Sequence, residues 1–155
     1  MLGPLHIERM RSINFRLSHD CARIEAACGG DALGREKIVS CLSQPHSFGR
    51  AAMNEIGDVM LGYILYRVAC GMIQIDRIIV RPESRRIGVA SAMLQRLTER
   101  VGRDGIRRVI AVCGIVGADG DEIRVPYVGL DSCLVKNGFR MLCLDNSFVE
   151  YVYEG

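Results

Sequence analysis

Residues 72–80, MIQIDRIIV, and residues 85–90, RRIGVA, decide the fold of this chain. The first stretch is apolar and rich in β-branched residues, which predicts a buried strand. It stops at Arg81-Pro82 because proline cannot donate to a strand ladder. Beyond it, a helix of about 17 residues is predicted from apolar side chains that recur every three or four positions: Ile87, Ala90, Met93, Leu94, Leu97 and Val101. The two stretches therefore form a strand-to-helix junction.

The flanking sequence predicts further strands and helices around this junction. Ser18 and Asp20 are the candidate caps of the first helix. The predicted order is a strand over 7–17, helices over 21–28 and 33–42, strands over 48–54 and 59–68, then 72–80, the long helix, a strand over 106–113, a short helix opened by Pro126, and strands over 139–144 and 148–153. This order indicates one mixed α/β layer.

Length and composition limit the chain to one domain over residues 1–155. Apolar residues make up 49% and charged residues 25%, as in ordinary globular chains, which excludes bulk disorder. The net charge of +2 gives no overall attraction to nucleic acid or to an anionic membrane.

Cysteine and histidine usage argues against a metal centre or a disulfide framework. The seven cysteines include no CxxC pair, and the three histidines lie in the first third of the sequence. There is no signal peptide and no apolar run of about 18 residues or more. We therefore expect reduced thiols, a cytoplasmic location and no membrane partner.

The start of the long helix has the features of an anion site. Its first amides have no partner within the helix, and the helix dipole adds partial positive charge. Gly88 removes a side chain where a phosphate must approach, Ala90 keeps the next turn small, and Arg85 and Arg86 add charge. The expected ligand is a phosphate or pyrophosphate. Neither a Walker A motif nor the dinucleotide fingerprint GxGxxG is present.

Arginine is concentrated in the same region. Nine arginines between Arg77 and Arg108 face only Glu83, Glu99 and Asp104, a local excess of six positive charges. The cluster indicates either a cofactor phosphate pocket or a nucleic-acid face. No aromatic residue lies between Tyr66 and Tyr127, so there is no stacking platform for single strands, and the cofactor interpretation is favoured.

The strand over 73–80, the Arg81-Pro82 break, RxxGxA at 85–90, the helix, and Asn137-Gly138-Phe139-Arg140 together resemble the GNAT acetyltransferase superfamily. The resemblance is closest to the enzymes that acetylate protein N-termini, including ribosomal-protein alanine acetyltransferases. It implies an α/β (α+β) fold: a mixed, mostly antiparallel sheet of six to seven strands with about four flanking helices, splayed between the fourth and fifth strands.

The resemblance also implies a cosubstrate and a reaction. Acetyl-CoA would lie in the gap of the splayed sheet, with no metal, and a primary amine, either a protein N-terminus or a small amine, would attack it directly in a ternary complex. The implied cofactor-binding residues are Ile78, Ile79, Val80, Arg85, Arg86, Ile87, Gly88, Val89 and Ala90.

Two side chains are candidates for proton transfer. Asp76 interrupts the apolar strand where some family members place a catalytic glutamate, and it is the candidate base; its structural alternative is an ion pair with an arginine of a neighbouring strand. The usual tyrosine acid is replaced by Leu134, which leaves Tyr127 as the candidate acid. Cys113 and Cys133 are excluded as nucleophiles because no histidine follows His46.

Two other classes of function remain open. Leu134 and Ala111 stand where the N-terminal acetyltransferases carry polar groups, which leaves an acyl-CoA-binding module without catalysis as an alternative. The arginine cluster leaves a basic nucleic-acid-binding domain as the less favoured one. The sequence does not determine the acceptor, nor whether the chain is a homodimer.

Overall fold

The computed structural model describes residues 6–10, 15–28, 32–114, 130–144 and 148–155. Within these ranges the elements are β1 (His6–Met10), α1 (Phe15–Cys28), α2 (Arg35–Ser43), β2 (Ser47–Met53), β3 (Met60–Ala69), β4 (Met72–Val80), a 3₁₀ turn (Pro82–Ser84), α3 (Val89–Thr98), β5 (Arg108–Gly114), α4 (Leu130–Lys136), β6 (Arg140–Leu144) and β7 (Phe148–Tyr153). The predicted fold class, a mixed α/β chain with a mostly antiparallel sheet and four helices, is confirmed.

The seven strands form one sheet in the order β1-β2-β3-β4-β5-β7-β6. All described neighbours are antiparallel except β4 and β5, which run parallel. Their pairing begins with Met72 opposite Arg108 and ends with Ile75 opposite Ala111, although β4 continues to Val80. The second half of β4 therefore separates from β5, as the predicted splay requires.

Strand β4 contributes to both cores of the molecule, and a bulge shifts the alternation of its side chains. Arg77 lies opposite Leu65 and Ile75 opposite Tyr66, so Asp76 is the extra residue. Beyond it, Ile78 and Val80 pack with α3, whereas Ile79 packs with α1 and α2 on the other face. The sheet is thus covered by helices on both faces.

The first predicted strand was too long. Strand β1 ends at Met10, and α1 begins at Phe15. The helical spacing of buried positions extends upstream of Cys21 to Leu17 and Ser18, so α1 starts before the predicted caps. Ser18 is consequently a buried residue inside the helix.

Helix α3 is shorter than predicted, with 10 residues from Val89 to Thr98. The amides of Arg100 and Val101 bond to residues three positions back, Leu97 and Thr98, so the chain tightens and leaves the α-helix. The predicted buried face is correct for Met93, Leu94 and Leu97, which are fully buried, but Ile87 precedes the helix and is exposed. Burial of each such side chain contributes about 1.5–3 kcal/mol to folding.

The last third of the chain is described only in part. Residues 115–129, which include the predicted helix start at Pro126, lie outside the described residues, as do residues 145–147 between β6 and β7. Helix α4 and strands β6 and β7 occupy the predicted positions.

Candidate active site

A cavity of about 660 Å³ lies between the end of β4, the start of α3 and α4. This volume is within the range of small-molecule sites, roughly 300–1,000 Å³. Six of the predicted cofactor-binding residues line it: Val80, Arg85, Arg86, Gly88, Val89 and Ala90. Ile78 and Ile79 are buried in opposite cores, and Ile87 is exposed outside the cavity. The structure thus brings most of the RxxGxA segment to one cleft.

The start of α3 leaves amide groups free to face this cleft. Gly88 is the N-cap in a left-handed conformation (φ 92°), and no side chain caps the helix. The first intrahelical bond runs from Ala92 N to Gly88 O, 2.9 Å. Arg86 is also left-handed, with φ 66°, which is uncommon outside glycine. These features are the backbone geometry of a helix-start anion site, and phosphate binding there stays a prediction.

Among the described residues, the splayed half of β4 has no strand partner on the side of β5. Arg81 N donates to Leu61 O on β3 (2.9 Å), so alternation directs the main-chain groups of Ile78 and Val80 away from β3. Pairing to β5 has already ended at Ile75. A linear ligand in the cleft could therefore pair with this edge. The main chain of Ile79 is turned toward β3.

Two side chains contact the carbonyl oxygen of Val80 in the cleft. Arg85 Nε donates to it (3.2 Å), and Cys28 Sγ, at the end of α1, lies 3.6 Å away. Arg85 Nη2 is 3.2 Å from the same sulfur. Burial raises the pKa of the Cys28 thiol, and Arg85 only partly offsets this effect. The end of α1 thus meets the end of β4 beside the first cavity.

The sequence profile of the Acetyltransferase (GNAT) family matches residues 18–121, about two thirds of the chain. The chain belongs to the GNAT acetyltransferase family. The matched segment includes the splayed strand, the RxxGxA junction and all of α3. A comparison with curated proteins finds no match.

Solved GNAT structures share the fold over nearly the whole chain. An acetyltransferase from Thermus thermophilus is 18% identical with a TM-score of 0.72, covering 99% of this chain and 98% of its own. The ribosomal-protein-S18-alanine N-acetyltransferase of Escherichia coli is 12% identical (TM-score 0.71; 96% and 91% covered). The PaiA N-acetyltransferase of Thermoplasma acidophilum, solved with coenzyme A, is 15% identical (TM-score 0.70; 99% and 100% covered).

The structure describes one of the two predicted proton-transfer residues of this GNAT chain. Asp76 lies at the bulge, four residues before Val80, or about 13 Å along an extended strand. Its carboxylate accepts both Arg67 Nε (2.8 Å) and Nη2 (2.9 Å). This is the ion pair with a neighbouring-strand arginine that the sequence predicts as the alternative to a catalytic base. Tyr127 lies outside the described residues.

Helix α4 adds cleft residues that the sequence interpretation did not assign to cofactor binding. Ser132, Cys133 and Lys136 line the cavity opposite α3, whereas Leu134 is fully buried in the core. Asn137 Nδ2 bonds to Ser91 Oγ (3.0 Å) and to Cys133 O (2.8 Å), which joins α4 to α3 across the cleft. The spacing of 132, 133 and 136 on one helix face was the available signal.

The predicted cluster of positive charge is divided among several places. Only Arg85 and Arg86 of the nine arginines line the first cavity, where Lys136 joins them. Five others lie near or beyond the far end of α3, a helix about 15 Å long: Arg96, Arg100, Arg103, Arg107 and Arg108. The expectation that six net charges surround one helix entrance was therefore wrong, because a linear count ignores the direction of the helix.

A second cavity, of about 230 Å³, lies on the α1 face at the same end of the sheet. Asp20, Arg23 and Arg81 line it, together with Asp58 of the β2–β3 turn, whose carboxylate accepts Asn54 Nδ2 (2.8 Å). Val80 lines the first cavity and the next residue, Arg81, lines the second. Two consecutive residues at the end of β4 therefore line different cavities.

Metal ligands and membrane-spanning segments were also sought in the described part of the chain. No group of three or more His, Cys, Asp or Glu side chains there could hold a metal ion. None of the described helices has the length and apolar character needed to cross a membrane. Five of the seven cysteines are free thiols in the structure: Cys21, Cys28, Cys41, Cys70 and Cys133.

Proposed function

We propose that this GNAT chain transfers the acetyl group of acetyl-CoA to a primary amine, with a protein N-terminus as the favoured acceptor and a small amine as the second. The observation that carries the proposal is the end of β4, where the described pairing with β5 has ended and Val80 lines the cavity at the start of α3. The strand edge suits a linear arm that contains amides, and the start of α3 suits a pyrophosphate.

Different residues of the described structure would bind different parts of the cofactor. The amides at Val89 and Ala90 and the Arg86 guanidinium would bind the pyrophosphate, since a helix start and a planar cation both favour phosphate oxygens. The main chain of Ile78 and Val80 would pair with the pantetheine arm. In doing so, the arm would replace Arg85 at the Val80 carbonyl.

Transfer requires positioning and two proton movements. The amine, after giving a proton to a base, attacks the thioester carbonyl carbon. The C–N bond forms and the C–S bond breaks, while the Val80 amide stabilises negative charge on the oxygen. The departing thiolate takes a proton, which leaves an N-acetyl product and free coenzyme A. No covalent acyl-enzyme is needed, so Cys133 has no catalytic role in this scheme.

The second cavity supports entry of the acceptor from the α1 face. It adjoins the end of β4, and the carboxylates of Asp20 and Asp58 suit an ammonium group or the polar main chain of a peptide. The E. coli relative, named for the alanine of a ribosomal protein, is consistent with a polypeptide acceptor.

Calorimetric titration with acetyl-CoA, followed by a thiol-release assay over peptides and polyamines, tests the proposal. We expect binding at one site and release of thiol with at least one acceptor. Binding without release would leave the acyl-CoA-binding module, and the absence of binding would exclude both functions in favour of the nucleic-acid alternative.

The role of Asp76 as base remains a proposal that one variant decides. An exposed ion pair contributes about 1 kcal/mol or less to stability, so Asp76→Asn should fold normally. Because the carboxylate is held by Arg67, we expect kcat/KM to change by less than about threefold, whereas loss of a general base costs about 10²–10⁴. Steady-state kinetics check this, and a hundredfold fall would establish the base. Tyr127→Phe tests the proposed acid in the same assay.

A further inference from the structure

Glu25 is a fully buried carboxylate that the proposed transfer does not use. It lies in the last turns of α1 and faces the sheet. Its Oε1 accepts Arg77 Nε (2.8 Å) and the Tyr63 hydroxyl, and its Oε2 accepts Arg77 Nη2 (2.5 Å) and the Leu33 amide (3.2 Å). One side chain thus joins α1, the segment before α2, β3 and β4.

The ionisation states of the partners suit this arrangement. Burial raises the pKa of the Tyr63 phenol, and the charge of Glu25 raises it further, so the hydroxyl stays a donor. Burial lowers the pKa of Arg77, but the hydrogen bonds and charge of Glu25 outweigh that effect and raise it. The guanidinium therefore remains charged against a buried carboxylate.

The Glu25–Arg77 pair lies close along the chain to the residues at the proposed transfer point, Val80 and Cys28. Arg77 is three residues before Val80 on β4, and Cys28, three residues after Glu25, contacts Val80 O with its sulfur. The same carboxylate holds Leu33, so it fixes the chain on both sides of the α1–α2 connection. It therefore sets the distance between the end of α1 and the end of β4.

We infer that Glu25 is a positioning residue for acetyl transfer, because it holds the end of α1 against β4. The end of α1 borders the side from which the acceptor enters, so Glu25 fixes that side relative to Val80. The inference rests on the proposed function. Desolvating a buried ion pair costs free energy, and apolar residues can often replace such a pair without loss of stability. We therefore assign the Glu25–Arg77 pair a role in fixing geometry. Since a displacement of about 1 Å can cost a hundredfold in rate, the effect should appear in turnover.

Glu25→Gln keeps the shape of the side chain and removes its charge. In the folded variant we expect the Kd for acetyl-CoA to stay within about twofold, and kcat/KM for the acceptor to fall at least about tenfold. Glu154→Gln, which removes one partner of the exposed Arg140–Glu154 pair, is the matched control and should leave both values unchanged.

The double variant Glu25→Gln/Arg77→Met separates positioning from stability. It removes both charges of the pair, so thermal unfolding should recover relative to Glu25→Gln while turnover stays low. Recovery of turnover together with stability would overturn the inference, as would an equal loss of acetyl-CoA affinity and turnover in Glu25→Gln.

A readout independent of activity is the alkylation of Cys28 by iodoacetamide, with the exposed Cys70 as internal reference. If Glu25 holds the end of α1, Glu25→Gln should speed Cys28 labelling relative to Cys70 at least about fivefold through local opening. Unchanged labelling would overturn the inference. If the wild-type chain acetylates no amine, the proposed function fails while this labelling still decides the role of Glu25.

Discussion

Gly88→Val is expected to weaken acetyl-CoA binding at least about a hundredfold, or about 2.7 kcal/mol. A Cβ at Gly88 would meet nothing within 4 Å, so a valine side chain would extend into the open space where we propose that the pyrophosphate lies. The φ of 92° also strains any L side chain by about 1–3 kcal/mol, which would turn the first amides of α3 away from the ligand. Calorimetric titration measures the effect.

Gly102→Val is the matched control for this variant. Gly102 follows the far end of α3, has a φ of 85°, and likewise has nothing within 4 Å of an added Cβ. Both variants should lose a similar free energy of unfolding, about 1–3 kcal/mol, but only Gly88→Val should lose binding. Equal affinity losses in the two variants would contradict a phosphate site at Gly88.

Arg86→Gly should separate binding from stability more sharply. The left-handed φ of 66° strains Arg86 but would not strain glycine. Glycine, however, loses more backbone entropy on folding. Because the two effects oppose each other, the free energy of unfolding should change by about 1 kcal/mol or less. Loss of the guanidinium removes charged hydrogen bonds worth about 1.5–3 kcal/mol. We therefore expect acetyl-CoA affinity to fall about 10- to 100-fold, with weaker salt dependence.

Asp104→Gly provides the comparison for Arg86→Gly. Asp104 is another non-glycine residue with positive φ (53°), beyond the far end of α3, and it carries an exposed side chain. Its replacement relieves the same backbone strain at a distance from the cleft. Acetyl-CoA affinity should not change, and an affinity loss similar to that of Arg86→Gly would show that the backbone, not the guanidinium, is responsible.

The central strand and its junction were predictable from sequence because local chemistry determines both. The β-branched run ends at a proline, and the observed β4 has the predicted bounds, Met72–Val80. Gly88 and the arginines before it also lie where the helix-start chemistry places them. These features depend on neighbouring residues alone.

Element boundaries and long-range contacts were less predictable. The start of α1 was misplaced because Ser18, a residue typical of helix caps, is buried inside the helix. The Glu25–Arg77 pair joins residues 52 positions apart, and no local pattern indicates it. The bulge that exposes Asp76 to Arg67 depends on the register with β3, which a single strand sequence does not contain.

The most direct test of acetyl transfer is mass spectrometry of a mixture of peptides with free α-amino groups and small amines, incubated with the chain and acetyl-CoA. We predict that at least one acceptor gains a single acetyl group, that free coenzyme A is released in equal amount, and that Gly88→Val abolishes both. An acceptor pool that remains unmodified, although acetyl-CoA binds in the cleft, would contradict the assignment of this chain as an N-acetyltransferase.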